Sequence, residues 1–421
     1  MLEQENSLLP SDPPLIRPFC GLRPRSSDAA AVVAPPYDVL SSEEARLAAQ
    51  DKPLSFLHIS KAEIDLPSTV DPYSSAVYAR SASNFQQLID TGVLIRDPQP
   101  CYYVYRLQMA NHVQTGLVTV ASVAAYEANR ICKHEFTRPD KEDDRVRQIE
   151  ALNAQTGPVL LAHPVSQTAE RLLSQASFGQ PVADVAADHG VRHTVWRIDD
   201  AQLMTRISAV FEAMPRLYIA DGHHRSAAAS RVAAHRQASG VAMGGADYFL
   251  AVIFPASQML IMDYNRVVRD LNGLSVEDFL TAVGESYLIG SADCPVKPDR
   301  PGVCGMYLDR RWYRLQIRPE RLPADPVSRL DVSLLAEHIL APLLGIVDLR
   351  RDTRIDFVGG VRGLGELERR VNSGEMKAAF AMCPTPIGEL MAVADSGQVM
   401  PPKSTWFEPK LADGLVSHLL D

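Results

Sequence analysis

The chain has 421 residues, enough for two domains, and its 42 basic against 51 acidic side chains leave a formal net charge of −9. That balance argues against DNA or RNA as a bulk partner, because such surfaces need clustered cations to neutralise phosphates. Hydrophobic residues make up 46%, ordinary for a globular protein, and the 30 prolines favour loops and extended connections over a helical bundle.

Residues 1–14 have neither a basic n-region nor an apolar h-region, so they read as a flexible tail and not as a signal peptide. Loop-like sequence follows to residue 40, punctuated by Pro18, Pro24, Pro35 and Pro36. A helix is predicted from Ser41, where a capping serine precedes Glu43 and Glu44. Asp71 to Asp90 predicts a second helix, ended by Thr91-Gly92. Cys101–Gln108 and Thr115–Val123 predict strands joined as a hairpin through the polar Ala110-Asn111-His112, with Ala121 to Tyr126 also strand-like. Arg145–Gln155 reads as helix, Pro158–Ala162 as strand, Thr168–Gln175 as helix, Val191–Ile198 as strand and Asp200–Met214 as helix. A short strand, Leu217–Ala220, then breaks at Asp221-Gly222 into the alanine-rich helix Ser226–Ala234. Beyond it come strands at Tyr248–Phe254 and Gln258–Met262 and a helix at Val276–Glu285. The proline-rich 291–303 reads as a linker. A hairpin (Val303–Leu308, Trp312–Ile317) and helices near 332–342, 364–372 and 385–394 complete the chain. The fold class is therefore α/β or α+β, a mixed β-sheet with flanking helices. A main domain spans 15–290, and a C-terminal region, 303–421, packs back on it.

The densest chemistry is Asp221-Gly222-His223-His224-Arg225. A carboxylate, two imidazoles and a guanidinium sit at a strand-to-helix turn, where backbone N–H groups point outward and anions are favoured. Gly222 permits close backbone approach, Arg225 offers a forked donor to phosphate oxygens, and Asp221 suits magnesium or the orientation of a hydroxyl. Capped, solvated histidines are the plain alternative. Zinc is poorly served, since adjacent histidines on a regular element point apart and no HxxxH or HExxH is present.

Other candidates are spread along the chain. Lys133 to Arg145 mixes charges of both signs, with Glu135 a candidate base and Arg138, Lys141 and Arg145 phosphate-competent cations; a solvated charged loop is the alternative. Asn153, Gln155 and Thr156 either bind a small polar ligand or cap the helix end. Lys403, Ser404 and Thr405, in a proline-set loop, either reach phosphate or merely precede Trp406 and Phe407 as anchors. Asp356 to Gly360 reads as a tight turn, with a backbone anion nest the other reading. No GxxxxGK[ST] and no GxGxxG after a strand is found. The six cysteines, Cys20, Cys101, Cys132, Cys294, Cys304 and Cys383, are scattered without a CxxC pair, which predicts reduced thiols in a cytoplasmic protein. No run approaches the ~18–20 apolar residues of a membrane span, so no membrane partner is expected.

Six segments in order carry a family resemblance: Arg17-Pro18-Phe19, Ala34 to Val39, His134-Glu135 to Arg145, Leu152 to Pro158, Ala220 to Arg225 and Pro401 to Lys410. Together they resemble the bacterial domain-of-unknown-function family 1015. More distantly, the Asp-Gly-His-His-Arg turn is similar to the nucleotide-binding motif of the ParB/sulfiredoxin-like superfamily, which includes free-serine kinases. That resemblance implies a ParB/sulfiredoxin-like core with large insertions. It also implies roles: Glu135 as base on a hydroxyl, Asp221 and His223 positioning substrate and metal, Gly222, His224 and Arg225 holding phosphates. The implied activity is a phosphotransferase using Mg2+ and a nucleotide (ATP or ADP) or pyrophosphate, with a small hydroxyl metabolite such as L-serine as acceptor. The alternative is a nucleotide-binding switch of ParB-like type without turnover. Neither composition nor motif fixes the oligomeric state.

Overall fold

The computed structural model describes residues 13–187 and 190–421. The fold is mixed α/β, as the alternation of strand and helix signals predicts. Two compact units make it up. The first takes the chain up to Cys132, Thr137–Gln258 and Pro409–Asp421; the second takes Lys133–Phe136 and Met259–Glu408. Of the tail expected at 1–14, residues 1–12 lie outside the described residues, and the Pro14 carbonyl accepts a hydrogen bond from the Tyr248 hydroxyl at 3.2 Å.

The first unit is built on a nine-stranded sheet among the described residues. Its order is Ile131–Cys132, Leu217–Asp221, Val159–His163, Tyr248–Pro255, His112–Ser122, Tyr102–Met109, Val191–Ile198 and Ala183–Ala186, with Ile16–Arg17 paired beside His112–Ser122. The pairing is mixed. Leu217–Asp221 runs parallel to Ile131–Cys132 and antiparallel to Val159–His163, which in turn runs parallel to Tyr248–Pro255. Tyr248–Pro255 is buried at every position, so it reads as an unbroken apolar run instead of an alternating one. Leu117, Leu161, Ile219, Phe249 and Ile253 meet in its core.

Three helices position the site. His223–Ala238 and Pro139–Leu152 pack on one another through Ile149, Ala228 and Val232, small alanine side chains letting the backbones approach. Ser75–Asp90 packs on Pro139–Leu152 in turn. There the Tyr78 hydroxyl donates to Asp144 at 2.8 Å, and the Gln148 amide donates to Ser81 Oγ at 2.7 Å and to the Ile59 carbonyl at 3.1 Å. These buried bonds fix the helix that carries Arg145.

The elements depart from the sequence expectation at several places, among them Asp356 to Gly360, expected as a tight turn, whose first four residues lie in the strand Ile355–Gly359 paired with Tyr264–Val268. The strand expected over Ala121–Tyr126 stops at Ser122, whose side chain accepts from the Ala125 N–H at 3.1 Å and caps the helix Val123–Glu127. The helix expected from Arg145 begins at Pro139, because proline suits a first turn that needs no N–H and Asp140 and Glu142 complement the helix's positive end. It ends at Leu152, with Asn153 in the left-handed conformation, φ +48°. The proline-rich stretch near 291–302 joins strands of one sheet, and the division between units falls after Gln258.

That sheet is the core of the second unit, six antiparallel strands among the described residues. Their order is Tyr287–Ala292, Arg311–Ile317, Val303–Leu308, Ala378–Ala381, Tyr264–Val268 and Ile355–Gly359. Gly363–Asn372 packs its Leu367 against Val267, Trp312 and Ala379. Among the described residues no helix is long and apolar enough to cross a membrane.

Gly116 tests the packing of the main sheet. A Cβ there would stand 2.6 Å from the Ile253 carbonyl and 2.7 Å from the Phe254 ring. Neither neighbour can yield, so Gly116→Ala is expected to cost about 1–3 kcal/mol. An unchanged midpoint of urea unfolding would contradict the register of these strands.

Candidate functional site

The strand Leu217–Asp221 delivers Asp221 to the edge of the first unit's core, and Gly222 turns the chain with φ +97°. A Cβ at Gly222 would meet Val159 Cα only at an ordinary contact distance of 3.4 Å. Glycine is thus favoured by conformation, not by lack of space. The sixteen-residue helix His223–Ala238 starts there, so its positive end lies beside Asp221. The Asp221 carboxylate pairs with the Lys410 ammonium at 3.0 Å, and both side chains keep partial exposure, 34% and 26%. Burial alone would raise the Asp221 pKa, but Lys410 and Arg225 outweigh it and hold the carboxyl well below its usual range.

His223 is buried. His224 accepts a hydrogen bond from the Arg138 backbone N–H at its Nε2, 3.0 Å away. Burial depresses its pKa, so the ring is neutral and Nε2 serves as an acceptor here. This places His224 as a clamp on the start of the neighbouring helix.

Arg225 departs from the sequence expectation most. Its fork does not point outward. Nη1 donates to the Pro158 carbonyl at 2.7 Å and Nη2 to Asp38 at 2.9 Å. The guanidinium also lies 5.4 Å from the Tyr37 ring centroid, and that of Arg145 lies 3.8 Å from the same ring. Arg145 is in turn held by Asp144 through Nε at 3.0 Å and Nη2 at 2.6 Å. Two guanidiniums thus share one aromatic ring, and each has its own carboxylate.

A third carboxylate joins them. Asp413 exchanges backbone hydrogen bonds with Ala34, at 2.9 and 3.2 Å, which brings its side chain into this cluster. Burial pushes its pKa up to about 7, against the opposing pull of Arg225 and Arg145. Tyr37, Ser60, Arg145, Gln148, Arg225 and Asp413 are among the residues around a narrow cavity of about 30 Å³. That volume admits about one or two waters. Arg225 Nε, Asp413 Oδ1 and Ser60 Oγ are buried with no hydrogen-bond partner among the described residues. Each such group costs about 1–3 kcal/mol unless something answers it.

The remaining sequence candidates fall into three groups. Arg145, Gln155 and Thr156 line the cavity, but both ends of the Gln155 amide are spent on the strand beneath it: Oε1 accepts from the Leu250 N–H at 2.6 Å and Nε2 donates to the Tyr248 carbonyl at 3.3 Å. Asn153 is not among the lining residues. It caps its helix, with its side chain bonded to Arg236. Arg138 and Lys141 are not cavity residues either: Arg138 is exposed and paired with Asp140 at 2.8 Å, and Lys141 donates to the Tyr73 hydroxyl at 2.7 Å. Glu135, Lys403, Ser404 and Thr405 belong to the second unit. Glu135 stands at an exposed bend, and the buried Ser404 hydroxyl donates to the Pro401 carbonyl at 2.6 Å, which makes it a loop brace. Sequence reasoning missed Asp38, Ser60, Gln148, Asp413 and the pairing of Lys410. Tyr37-Asp38 and Lys410 stood in quoted motifs, but nothing local marks Asp413.

A resident magnesium does not fit these residues. Asp221, its expected ligand, already carries an ammonium, and among the described residues no three His, Cys, Asp or Glu side chains cluster as a metal site.

The family model described as "Protein of unknown function (DUF1015)" matches residues 16–333, and the chain belongs to that family. Among solved structures, a conserved hypothetical protein from Pyrococcus furiosus is 12% identical, with 72% of this chain and 95% of that chain covered and a TM-score of 0.36. A free serine kinase in complex with AMP is 11% identical, with 71% and 92% covered and a TM-score of 0.35. SbnI with C-terminal truncation from Staphylococcus aureus is 12% identical, with 70% and 85% covered and a TM-score of 0.35. No curated protein matches the chain.

The titration of Asp413 can be read in stability. With its folded pKa raised to about 7 from 3.8, it holds a proton that the unfolded chain has already lost, so it subtracts stability as the pH climbs through that window. The melting temperature of Asp413→Asn, taken relative to the native protein, is therefore expected to rise between pH 4 and pH 7. A difference that stays flat across that range would show that Asp413 does not change charge there.

Proposed function

We propose that this member of the family is a phosphotransferase, moving a phosphoryl group from a nucleotide or polyphosphate donor to a hydroxyl of a small metabolite, with L-serine the first acceptor to test. The observation that carries the reading is the partly exposed Lys410 ammonium, tied by Asp221 beside the first turn of a sixteen-residue helix. A fixed ammonium and the positive end of a helix at one spot suit the oxygens of a phosphate chain, which only accept hydrogen bonds. Arg225 adds its charge close to Asp221. The likeness of the Asp-Gly-His-His-Arg turn to the ParB/sulfiredoxin-like motif points the same way.

Phosphoryl transfer asks little covalent work of a protein; positioning and charge neutralisation dominate. The acceptor oxygen attacks the terminal phosphorus, the bond to the departing phosphate oxygen breaks, and the hydroxyl proton passes to a base. The resemblance gives the part of that base to Glu135. Asp221 keeps Lys410 in place, and His223 supports the turn. Gly222 and the backbone after it receive the phosphates, with Arg138 and Lys141 as outer contacts; His224 holds Arg138 by its backbone. Any magnesium arrives with the nucleotide as part of the substrate.

The direct test is incubation with ATP, ADP, CTP or pyrophosphate, magnesium and L-serine, followed by phosphorus NMR for phosphoserine. One donor is expected to give product. Glu135→Gln is expected to lower kcat by about 10²-fold or more, as loss of a general base does, while calorimetric nucleotide affinity stays as it was. Full turnover in that variant removes Glu135 from the mechanism. Tight nucleotide binding with no product from any acceptor would instead favour a nucleotide-operated switch.

A further inference from the structure

The first unit holds a second and roomier concavity, an open cleft of about 500 Å³. Its floor is Arg106 and Thr115, which face one another across the hairpin of Tyr102–Met109 and His112–Ser122. Its wall is the helix Gln167–Ala176. There Gln167, Glu170, Arg171 and Ser174 recur at helical spacing on one face, while Ala169 and Leu172 turn to the core. Gln258 closes the cleft just past the strand Tyr248–Pro255. That strand runs parallel to Val159–His163, and Leu217–Asp221 runs antiparallel to Val159–His163. The cleft therefore lies at the end of the sheet away from Asp221, and it shares no residue with the site there.

What the cleft offers is mainly donors. Arg106 is half-buried, with its guanidinium 4.9 Å from the Trp196 ring centroid. It gives Nε to Thr115 Oγ1 at 3.3 Å and Nη2 to Ser177 Oγ at 3.1 Å, both neutral partners. Its Nη1 has none among the described residues. Arg171 spends only Nε, on the Gln167 carbonyl of its own helix at 3.2 Å. Neither guanidinium has a carboxylate partner among the described residues. Gln258 Oε1 accepts from the Thr115 backbone N–H at 2.8 Å, so the end of that amide left to the cleft is its NH2.

We infer that this cleft binds a small phosphomonoester that also carries an amino group, the phosphate on Arg106, Arg171 and Gln258 and the ammonium on Glu170. Three donor groups from three separate elements suit a tetrahedral phosphate, whose three terminal oxygens accept from different directions; a planar carboxylate has only two. The volume suits a small molecule, since such pockets run from roughly 300 to 1,000 Å³. Glu170 sets the rest of the ligand's charge. A carboxylate in the wall repels a polyphosphate or a nucleic-acid strand and attracts an ammonium. Ser174 adds a hydroxyl able to give or accept. This assignment stands apart from the phosphotransferase reading, because none of its residues takes part in that reaction.

The experiment is calorimetry on the full chain without nucleotide, with phosphoethanolamine, glycerol 3-phosphate and γ-aminobutyrate as probes. Phosphoethanolamine is expected to bind at one site. Glycerol 3-phosphate, which lacks the amine, should bind several-fold more weakly, and γ-aminobutyrate, with a carboxylate for the phosphate, about tenfold more weakly. Binding should also change tryptophan emission, because Arg106 lies against Trp196, and Trp196→Phe should remove that change. Two variants leave the fold in place. Arg171→Gln alters an exposed side chain bonded only to its own helix, and Gln258→Glu keeps an oxygen for the Thr115 N–H while replacing the NH2 with a negative charge. Each should weaken phosphoethanolamine about tenfold or more, at unchanged melting temperature. Glu170→Gln should close the gap between phosphoethanolamine and glycerol 3-phosphate. No saturable binding of phosphoethanolamine, γ-aminobutyrate binding as tightly, or full affinity in either Arg171→Gln or Gln258→Glu would overturn the assignment. A gap that survives Glu170→Gln would overturn the part given to Glu170. Formation of phosphoserine, or its failure, bears on the phosphotransferase reading and not on this cleft.

Discussion

A guanidinium leaves water only if its charge and its hydrogens are answered, and the site of the first unit is organised by that demand at Arg225. The idealised cost of burying such a charge is large, and even after relaxation it amounts to several kcal/mol. Asp38, the Pro158 carbonyl and the face of Tyr37 meet it directly, and Asp413 contributes from nearby. These groups come from distant parts of the sequence. The constraint therefore knits an N-terminal loop, the start of one strand, the first turn of one helix and a C-terminal segment into a single cluster. Arg145 repeats the arrangement one ring-width away, with Asp144 as its private counter-ion. What remains after this pairing is small and specific: one N–H on Arg225, one oxygen on Asp413 and the hydroxyl of Ser60.

The order of elements was readable because most of them obey local rules. Val191–Ile198 forms where predicted, and the hairpin of Tyr102–Met109 and His112–Ser122 turns at the Ala110 that the polar interruption marked. The helix at Ser75–Asp90 ends at the Thr91-Gly92 signal. Where reading failed, a competing local device was stronger than propensity. Ser122 capped a helix inside an apolar run, and Pro139 turned a charge-rich stretch into the opening of a helix. The proline-rich 291–302 looked like a boundary because composition alone cannot distinguish a linker from a long connection within a sheet.

The site was half legible for a similar reason. Asp221 to Arg225 could be recognised as a strand-to-helix turn with a glycine that must be left-handed, and that is what it is. The direction of the Arg225 fork could not, since Asp38 and Pro158 are neighbours only after folding. Asp413 is the extreme case. Its neighbourhood, Leu411 to Val416, is a short run of apolar and small residues with one aspartate, and only the paired hydrogen bonds with Ala34 give that carboxylate its meaning. Gln155 shows the converse: a polar residue in the cavity wall whose amide is wholly consumed by the strand behind it.

The first unit is discontinuous, closed by Pro409–Asp421 only after Met259–Glu408 has been made. During synthesis at roughly 5–20 residues per second, the nascent chain waits on the order of ten seconds between emergence of Gln258 and arrival of Asp413. Through that interval Arg225 has Asp38 but not its second carboxylate, and the edge at Ala34 lacks its backbone partner. Ribosome-bound intermediates of this protein thus carry an unfinished cluster for as long as the intervening unit takes to emerge, which makes that stage the natural point for chaperone capture and for premature proteolysis.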